Sequence, residues 1–255
     1  MTDSIFSLSN NIALVTGASQ GLGFEIAKGF WEAGAHVILN GRSQPRLETA
    51  IHQISETGDR LTSLPFDVSD AQAVEAAFQT LQTNYGRLDI LVNNVGIRDR
   101  RSLQEFDIDA IDKMWQVNLR GPMLLAQQAA QMMIEQEYGR IINLTSIAGF
   151  ISNANDTVYT TMKGGLTALT RALAADLGPH KINVNGIAPG YFATETNQYM
   201  VEKQFTWDWL KQRTSLQRWG NPEEIVGTAV FLASPASSYV TGHILAVDGG
   251  YLAHW

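Results

Sequence analysis

Three polar residues of this chain have the types and spacing of a proton-transfer site. Tyr159 stands four residues before Lys163, and Ser146 follows the apolar run 141–145, thirteen positions before the tyrosine. Residues four apart on a helix share a face, so Lys163 is expected beside Tyr159. A cation roughly 4 Å away contributes about 4 kcal/mol at an effective dielectric constant of about 20, enough to bring the pKa of a phenol from about 10 to near neutrality. A tyrosine with that pKa is a usable general acid or base at physiological pH.

A glycine-rich turn follows the first apolar run, residues 12–15. It reads Thr16-Gly17-Ala18-Ser19-Gln20-Gly21-Leu22-Gly23. Glycines permit a tight turn and close approach to a pyrophosphate, and a helix beginning near Gly21 points its N-terminus at the negative charge. The turn is therefore predicted to bind a dinucleotide that carries a hydride. The residues predicted to contact it are Gly17, Ser19, Gln20, Gly21, Leu22 and Gly23.

The end of the second apolar run indicates which nicotinamide cofactor is bound. A carboxylate there would hydrogen-bond the adenosine 2′-hydroxyl, whereas an arginine accommodates a 2′-phosphate. The segment contains no acid and reads Leu39-Asn40-Gly41-Arg42-Ser43. Asn40, Arg42 and Ser43 are predicted to bind the cofactor, with NADP(H) preferred and NAD(H) possible. The alternative is a solvated loop arginine without a ligand.

Seven apolar runs of strand length must position these residues. They cover residues 12–15, 36–39, 61–66, 88–92, 140–144, 181–186 and 244–247. Segments with helical periodicity lie between most of them, with Asp70 expected to cap one helix and Gly178-Pro179 to end the helix that carries Tyr159. This alternation predicts an α/β single-domain Rossmann fold over residues 1–255: a doubly wound seven-stranded parallel sheet with helices on both faces.

One long segment interrupts the alternation, at about residues 191–219. Its aromatic side chains are Tyr191, Phe192, Tyr199, Phe205, Trp207, Trp209 and Trp219. Long insertions of this kind in a compact domain are often functional. The segment is therefore predicted to be a substrate lid or an oligomer contact.

Charge and composition exclude several classes of protein. The chain has 18 basic and 25 acidic side chains, a net charge of −7, which argues against nucleic acid or an anionic membrane as a general partner. It has no cysteine, which excludes disulfides and zinc–thiolate sites and fits a cytoplasmic location; no metal site is predicted. Residues 1–8 lack the pattern of a signal peptide, and no apolar run approaches the roughly 20 residues of a membrane span.

Further short motifs recur in a familiar order. They are Asp67-Val68, Asn93-Asn94-Val95-Gly96, Asn118, Pro189-Gly190 and Asp248-Gly249-Gly250. With the glycine turn and the Tyr159–Lys163 pair, they make the chain resemble the short-chain dehydrogenase/reductase family over essentially its whole length.

This resemblance implies a role for each matching residue. Tyr159 would be the acid/base, Ser146 would polarise the substrate oxygen, Asn118 would hold a water in a proton relay, and Lys163 would also bind the nicotinamide ribose. Tyr159 and Lys163 are thus cofactor contacts as well, as are Asp67, Val68, Asn93, Gly96, Pro189, Gly190, Phe192 and Thr194. The resemblance also implies a homotetramer in which the helices around 114–135 and 157–177 pair with their copies.

Several loops look like those of gluconate 5-dehydrogenases, the group within this family that interconverts gluconate and 5-ketogluconate. The similar segments are residues 6–9, 40–42, 188–195, 208–214 and 218–220. That group also carries basic residues just after the Asn-Asn-x-Gly motif, matching Arg100, with Arg98 and Arg101 nearby. A cationic fork there could hold a sugar-acid carboxylate. The predicted substrate-binding residues are Arg100, Ser146, Ile147, Tyr159 and Tyr191.

Three other functions remain open from the sequence. The small, apolar run Ile147-Ala148-Gly149-Phe150 leaves room for a reductase of aryl or alkyl ketones, with a pocket of Ile147, Phe150, Tyr191 and the lid tryptophans. A 3-oxoacyl carrier-protein reductase would need a basic surface for an acidic carrier, which the net charge does not favour. A non-catalytic cofactor-binding sensor would usually lack the tyrosine or the lysine, and both are present.

Overall fold

The computed structural model describes residues 4–254, so the first three residues of the segment predicted not to be a signal peptide lie outside it. Seven strands form one parallel sheet in the order β3-β2-β1-β4-β5-β6-β7. The strands are β1 (Ile12–Val15), β2 (His36–Gly41), β3 (Leu61–Pro65), β4 (Ile90–Asn93), β5 (Gly139–Leu144), β6 (Ile182–Pro189) and β7 (Ile244–Val247). The order reverses between β1 and β4, which opens a crevice at the carboxyl ends of these strands.

Helices cover both faces of the sheet. They are α1 (Gly21–Glu32), α2 (Gln44–Ile54), α3 (Ala71–Tyr85), α4 (Ile108–Trp115), α5 (Gly121–Glu135), α6 (Thr157–Leu177), α7 (Gln198–Val201), α8 (Gln204–Arg213) and α9 (Val226–Ala233). One core cluster joins the sheet to α1, α2 and α9, a second joins it to α3, α5 and α6, and a third, smaller one packs α4 against α6. The predicted doubly wound fold with helices on both faces is confirmed.

The first and last strands match the predicted runs, and the other five begin or end one to three residues away, with the largest differences in the fourth and sixth strands. The fourth strand begins at Ile90, although Leu88 is buried, and the Asp89 carboxylate accepts Ile12 N at 2.8 Å at the strand entrance. The sixth strand begins after Lys181, whose φ of +62° is incompatible with an extended strand, and continues to Pro189 beside Val247. At these strand ends, apolar residues indicate which positions are buried, but they do not indicate where the hydrogen-bonded strand begins.

The helix boundaries follow local signals in the sequence. Asp70 caps α3 by accepting from Gln72 N at 2.9 Å and Ala73 N at 3.2 Å, and α6 ends at Leu177, directly before Gly178, both as predicted. A π-helical turn, Gln116–Arg120, lies between α4 and α5 inside the expected helix around 114–135. None of the helices in residues 4–254 is long and apolar enough to cross a bilayer.

The segment 191–219 folds back on the sheet through aromatic packing. A bridge between Phe192 and Gly220 closes its two ends. Tyr191 contacts Trp209 edge-on, with ring centroids 5.1 Å apart, and Trp219 at 5.8 Å. Aromatic contacts of Tyr191 therefore hold this segment, which includes α7 and α8, beside the carboxyl end of β6.

Candidate active site

The four residues predicted to be catalytic converge at the carboxyl ends of β4 and β5. Ser146 follows β5, and Tyr159 and Lys163 occupy the first two turns of α6. A Cβ built on Gly96, just after β4, would lie 3.0 Å from Asn118 Oδ1 and 3.4 Å from Lys163 Nζ. A side chain at this position would therefore crowd the amide and the ammonium and shift them by a few tenths of an ångström.

Lys163 is buried with a single hydrogen-bond partner among the described residues. Its Nζ donates to the Leu144 carbonyl at 2.7 Å, and 4% of the residue's surface is exposed. Burial lowers its pKa to about 8. An ammonium has three donors, so two remain for a ligand such as a ribose with its hydroxyls.

The surroundings of Tyr159 differ from the sequence prediction. Burial is the largest influence on the phenol and raises its pKa. The Arg98 guanidinium, 4.7 Å from the centroid of the ring, and the Ser146 hydroxyl oppose this shift without reversing it. Lys163 Nζ is farther away, 5.9 Å from the same centroid. The prediction that Lys163 brings the pKa of Tyr159 to near neutrality is therefore wrong in this structure, because burial outweighs the nearby cations.

Asn118 lies in the π-helical turn and is fully buried. Its Oδ1 accepts from Ile97 N at 2.9 Å, and its Nδ2 donates to the carbonyls of Ile97 at 2.9 Å and Met114 at 3.1 Å. Both amide donors are occupied, so a relay water could use only a remaining lone pair of the side-chain oxygen or the backbone.

The glycine turn has the shape that a dinucleotide phosphate requires. Gly17 has a φ of +65°, and a Cβ there would lie 2.9 Å from Asn94 Nδ2. Asn94 holds the turn by donating from Nδ2 to the carbonyls of Thr16 at 2.9 Å and Gly17 at 3.2 Å. A Cβ on Gly23 would lie 2.4 Å from the Gly17 carbonyl oxygen, so no side chain fits. The residues present therefore fit a bound cofactor at the start of α1.

Two arginines lie at the edge predicted to select the cofactor. Arg42 has a side chain that is 82% exposed, and its Nη1 is 3.9 Å from Asp67 Oδ2. Arg46, in the first turn of α2, donates to Gln20 Oε1. Sequence reasoning missed Arg46, although its position four residues after Arg42 could have suggested it. Asn40 instead points into the sheet, where Nδ2 donates to the carbonyls of Leu64 and Phe66.

Asp67 is a partly exposed carboxylate beside Arg42. Burial acts to raise its pKa, but hydrogen bonds from Ser69 and the charge of Arg42 outweigh burial, so the pKa is lowered. It is therefore an anion at neutral pH and an available acceptor. Val68, the next residue, is buried.

The other predicted cofactor residues surround the same crevice or support it. Thr194 Cγ2 would lie 3.7 Å from a Cβ on Gly21, so this residue approaches the glycine turn. Gly190 packs against Asp248 at the end of β6, where a Cβ would be 2.7 Å from Asp248 Cα. Two of the predicted residues are buried: Asn93 donates to Asn143 Oδ1, and Phe192 packs in the core. Leu22 and Pro189 are half-buried. Ser19 lies near Gly41, and Ser43 directly precedes α2.

A cleft of about 500 Å³ opens beside Ser146. Four of the predicted substrate-binding residues line it, namely Arg100, Ser146, Ile147 and Tyr191, and Tyr159 contacts Arg98 and Ser146 at its border. The remaining lining residues are Arg98, Ala148, Ile151, Asn153, Asp156, Gly190, Asn197, Met200 and Tyr251. Phe150 is 49% exposed and is absent from this lining, as are the lid tryptophans, so the predicted apolar pocket is right only for Ile147 and Tyr191.

Two charged residues of the cleft, Arg98 and Asp156, were not among the predicted substrate-binding residues, although Arg98 belongs to the basic group that the sequence places beside Arg100. Arg98 Nε donates to Asp156 Oδ1 at 2.9 Å, and Arg98 Nη2 donates to Asp156 Oδ2. Asp156 stands directly before α6, three residues before Tyr159, and only 2% of its surface is exposed. The spacing of three residues could have placed Asp156 beside Tyr159, but it did not show that Asp156 pairs with Arg98 on another loop.

Known proteins resemble the chain over nearly its whole length. The family profile described as enoyl-(acyl carrier protein) reductase matches residues 17–252. The chain is 42% identical over 247 residues to gluconate 5-dehydrogenase of Gluconobacter oxydans (strain 621H), covering 96% of each protein. It is 38% identical over 250 residues to 5-keto-D-gluconate 5-reductase of Escherichia coli (strain K12), covering 98% of each. The crystal structure of a gluconate 5-dehydrogenase from Burkholderia cenocepacia J2315, in complex with NADP and tartrate, matches with a TM-score of 0.95 and 37% identity over 100% of both chains.

Proposed function

This chain belongs to the short-chain dehydrogenase/reductase family of oxidoreductases, and from that premise we propose that it is an NADP-dependent enzyme interconverting gluconate and 5-ketogluconate. Two relatives named for these substrates cover nearly the whole chain. When bound, the nicotinamide supplies or accepts the hydride. The residues of the chain hold the substrate and move the proton.

The proton moves through the residues gathered around Ser146. Tyr159 gives its phenolic proton to the substrate oxygen during reduction and removes it during oxidation. Ser146 donates to the same oxygen: its Oγ accepts from Ala148 N at 3.0 Å, and its proton turns from the Tyr159 hydroxyl to the substrate oxygen when substrate is bound. Lys163 holds the ribose with its two remaining donors, and Asn118 supports the relay water.

The observation that carries the proposal is the charge of the cleft. Arg98 and Arg100 both line it, and both lie within 4.0 Å of one carboxylate, Asp156, at the distances of an ion pair. Two guanidinium groups and one carboxylate leave one positive charge, which complements the single carboxylate of a sugar acid. An uncharged apolar ketone has no group that would interact with this positive charge.

The substrate assignment is tested by Arg100→Ala. We expect the KM for 5-ketogluconate to rise at least about tenfold, because the carboxylate loses a charge-assisted hydrogen bond worth roughly 1.5–3 kcal/mol. Steady-state kinetics with the sugar acid and with an uncharged ketone measure this effect, and the ketone should respond little. Arg101→Ala is the matched control, because Arg101 pairs with Asp99 in the same loop and is not among the cleft residues. An enzyme that reduces aryl ketones well and ignores 5-ketogluconate would contradict the sugar-acid assignment.

We expect NADPH to be preferred over NADH, because Arg42 and Arg46 flank the predicted 2′-phosphate position. Arg42→Ala should weaken NADPH at least about tenfold and leave NADH almost unchanged, since it removes a partner of that phosphate. Arg46→Ala should act in the same direction. Calorimetric titration with adenosine 2′,5′-bisphosphate and with 5′-AMP separates the phosphate contact from the rest of the site. Equal losses for both nucleotides would show that Arg42 has a structural role.

We expect a homotetramer that forms through α4–α5 and α6. The sequence of α5 has more apolar residues than one sheet contact requires, namely Met123, Leu124, Leu125, Met132 and Met133, but the last three of these pack into the core. The exposed large apolar side chains of α4 and α5 are Ile108, Trp115, Met123 and Ile134. Sedimentation at micromolar concentration should give a tetramer, and Met123→Glu should weaken it while Phe205→Ser, outside these helices, should not. A monomeric parent would contradict the proposal.

We further propose that residues 1–255 act as one dinucleotide-binding domain whose segment 191–219 closes over the substrate. The support for closure is the contact from Arg100 Nη1 to the Tyr199 hydroxyl at 3.2 Å, which links the cleft to α7. We also propose a cytoplasmic location, where NADP(H) and sugar acids would be available to the enzyme.

A further inference from the structure

Arg98 is held in a fixed place against the ring of Tyr159. Its two donors on one edge, Nε and Nη2, bind the two oxygens of Asp156. The Asp156 side chain is 3% exposed, whereas that of Arg98 is 29% exposed. A planar guanidinium bound at two points to a buried carboxylate has little freedom to turn. Its face is therefore kept over the phenol ring at 4.7 Å.

The charged and titratable groups around Tyr159 come from three parts of the chain. Arg98 and Arg100 lie on the loop after β4, Asp156 and Lys163 belong to the start of α6, and Tyr191 follows β6. Lys163 is farther from the ring than Arg98 and donates to the Leu144 carbonyl. Arg100 Nη1 turns to Tyr199 and Met200, at 3.2 and 3.4 Å. Arg98 is thus the cation held over the ring face by two hydrogen bonds to Asp156, whereas Arg100 Nε stays 3.9 Å from that carboxylate.

We propose that Arg98, clamped by Asp156, is a positioning residue for Tyr159: it fixes the orientation of the phenol ring and supplies the positive charge that favours the phenolate. The inference rests on the proposed function, in which Tyr159 transfers the proton. It follows that the two cleft arginines have different tasks, since Asp156 occupies the Nε–Nη2 edge of Arg98, whereas Arg100 donates, within residues 4–254, only from Nη1 and keeps that edge for a substrate carboxylate. The pKa of Tyr159 agrees with this geometry, because burial raises it and Arg98 is the strongest of the groups that lower it.

The test compares Arg98→Gln with Arg100→Gln, its neighbour in the same loop and cleft. Alkaline titration of tyrosinate absorbance in the full chain, with each variant measured against its own Tyr159→Phe partner, isolates the Tyr159 signal. We expect Arg98→Gln to move the Tyr159 half-titration point upward by about one pH unit, the size expected for loss of an opposite charge at this distance. Arg100→Gln should move it less. The acid limb of gluconate oxidation should shift in the same direction.

Two further variants keep the test decisive. Arg98→Lys retains the charge and should titrate close to the parent. Arg98→Gln combined with Asp156→Asn replaces the ion pair with two amides, so that no buried carboxylate is left without a partner to destabilise the fold. This double variant should still move the half-titration point of Tyr159 upward. An unchanged titration in Arg98→Gln or in the double variant, a full-sized shift in Arg98→Lys, or an equal shift in Arg100→Gln would overturn the proposal. Because the titration needs no substrate, failure to oxidise gluconate would count against the proposed function alone.

Discussion

Replacing Tyr159 with phenylalanine is expected to lower turnover by a factor of about 10² to 10⁴, the usual contribution of a general acid or base. The substitution keeps the ring beneath Arg98 and removes only the hydroxyl that interacts with Ser146. Cofactor binding should therefore stay within a few-fold of the parent. Steady-state turnover in both directions, together with titration of NADPH fluorescence, separates the loss of chemistry from the loss of binding.

The mechanism also predicts how the rates of oxidation and reduction depend on pH. Oxidation requires the phenolate, and burial raises the pKa of Tyr159, so oxidation by the parent should accelerate as pH rises through the alkaline range. Reduction requires the protonated phenol and should change little at neutral pH. The residual activity of Tyr159→Phe should lose this dependence. Tyr239→Phe alters a fully exposed tyrosine and serves as the control. Near-normal turnover of Tyr159→Phe would remove the proposed mechanism.

Lys163→Met is expected to stabilise the fold at neutral pH while abolishing most activity. The pKa of Lys163 is lowered from 10.5 to about 8 by burial, so the charged lysine is held in the folded chain at a cost below about pH 8. The difference between 10.5 and about 8 corresponds to a free-energy cost of up to about 3–4 kcal/mol, and a methionine at this position avoids that cost. Activity should fall because the donors proposed for the ribose are lost.

The sign of the pH effect distinguishes this cause from better packing. The folded parent binds fewer protons than the unfolded chain between about pH 8 and 10.5, so its stability should rise across that window and the advantage of Lys163→Met should shrink. Urea denaturation at neutral and alkaline pH measures both. Lys113→Met, on the exposed side of α4, should change stability by less than about 0.5 kcal/mol at either pH. A destabilised Lys163→Met with no pH dependence would contradict the argument.

Local sequence signals were sufficient for the fold and for much of the site. The strands are continuous apolar runs because both faces of the sheet are covered, and Gly17 and Gly23 are required by close contacts that no other residue allows. The spacing of Tyr159 and Lys163 was enough to place both at the start of α6. These features depend on neighbours along the chain, which a periodicity or a short motif records.

Contacts between segments that are distant in the chain could not be predicted from periodicity or short motifs. The Arg98–Asp156 pair joins residues 58 positions apart, and Arg46 meets Gln20 across 26 positions. Each partner alone is an ordinary charged or polar residue of a loop or helix start. The pKa of Tyr159 was misjudged for the same reason, because burial depends on the whole assembly of loops around the phenol. Which charges meet is decided by the folded arrangement of β4, β5 and α6.

The bonds from Asn94 to the glycine turn also set an order on how the protein acquires its binding site. Asn94 lies 78 residues after Thr16, and β1 pairs with β4 across a similar separation. During synthesis the glycine turn thus leaves the ribosome long before the side chain that fixes its carbonyls. Closing so long a loop costs entropy and slows folding. A nascent chain that ends after β3 holds the turn's full sequence but lacks its Asn94 bonds, so competence to bind nucleotide should arise late, when β4 docks.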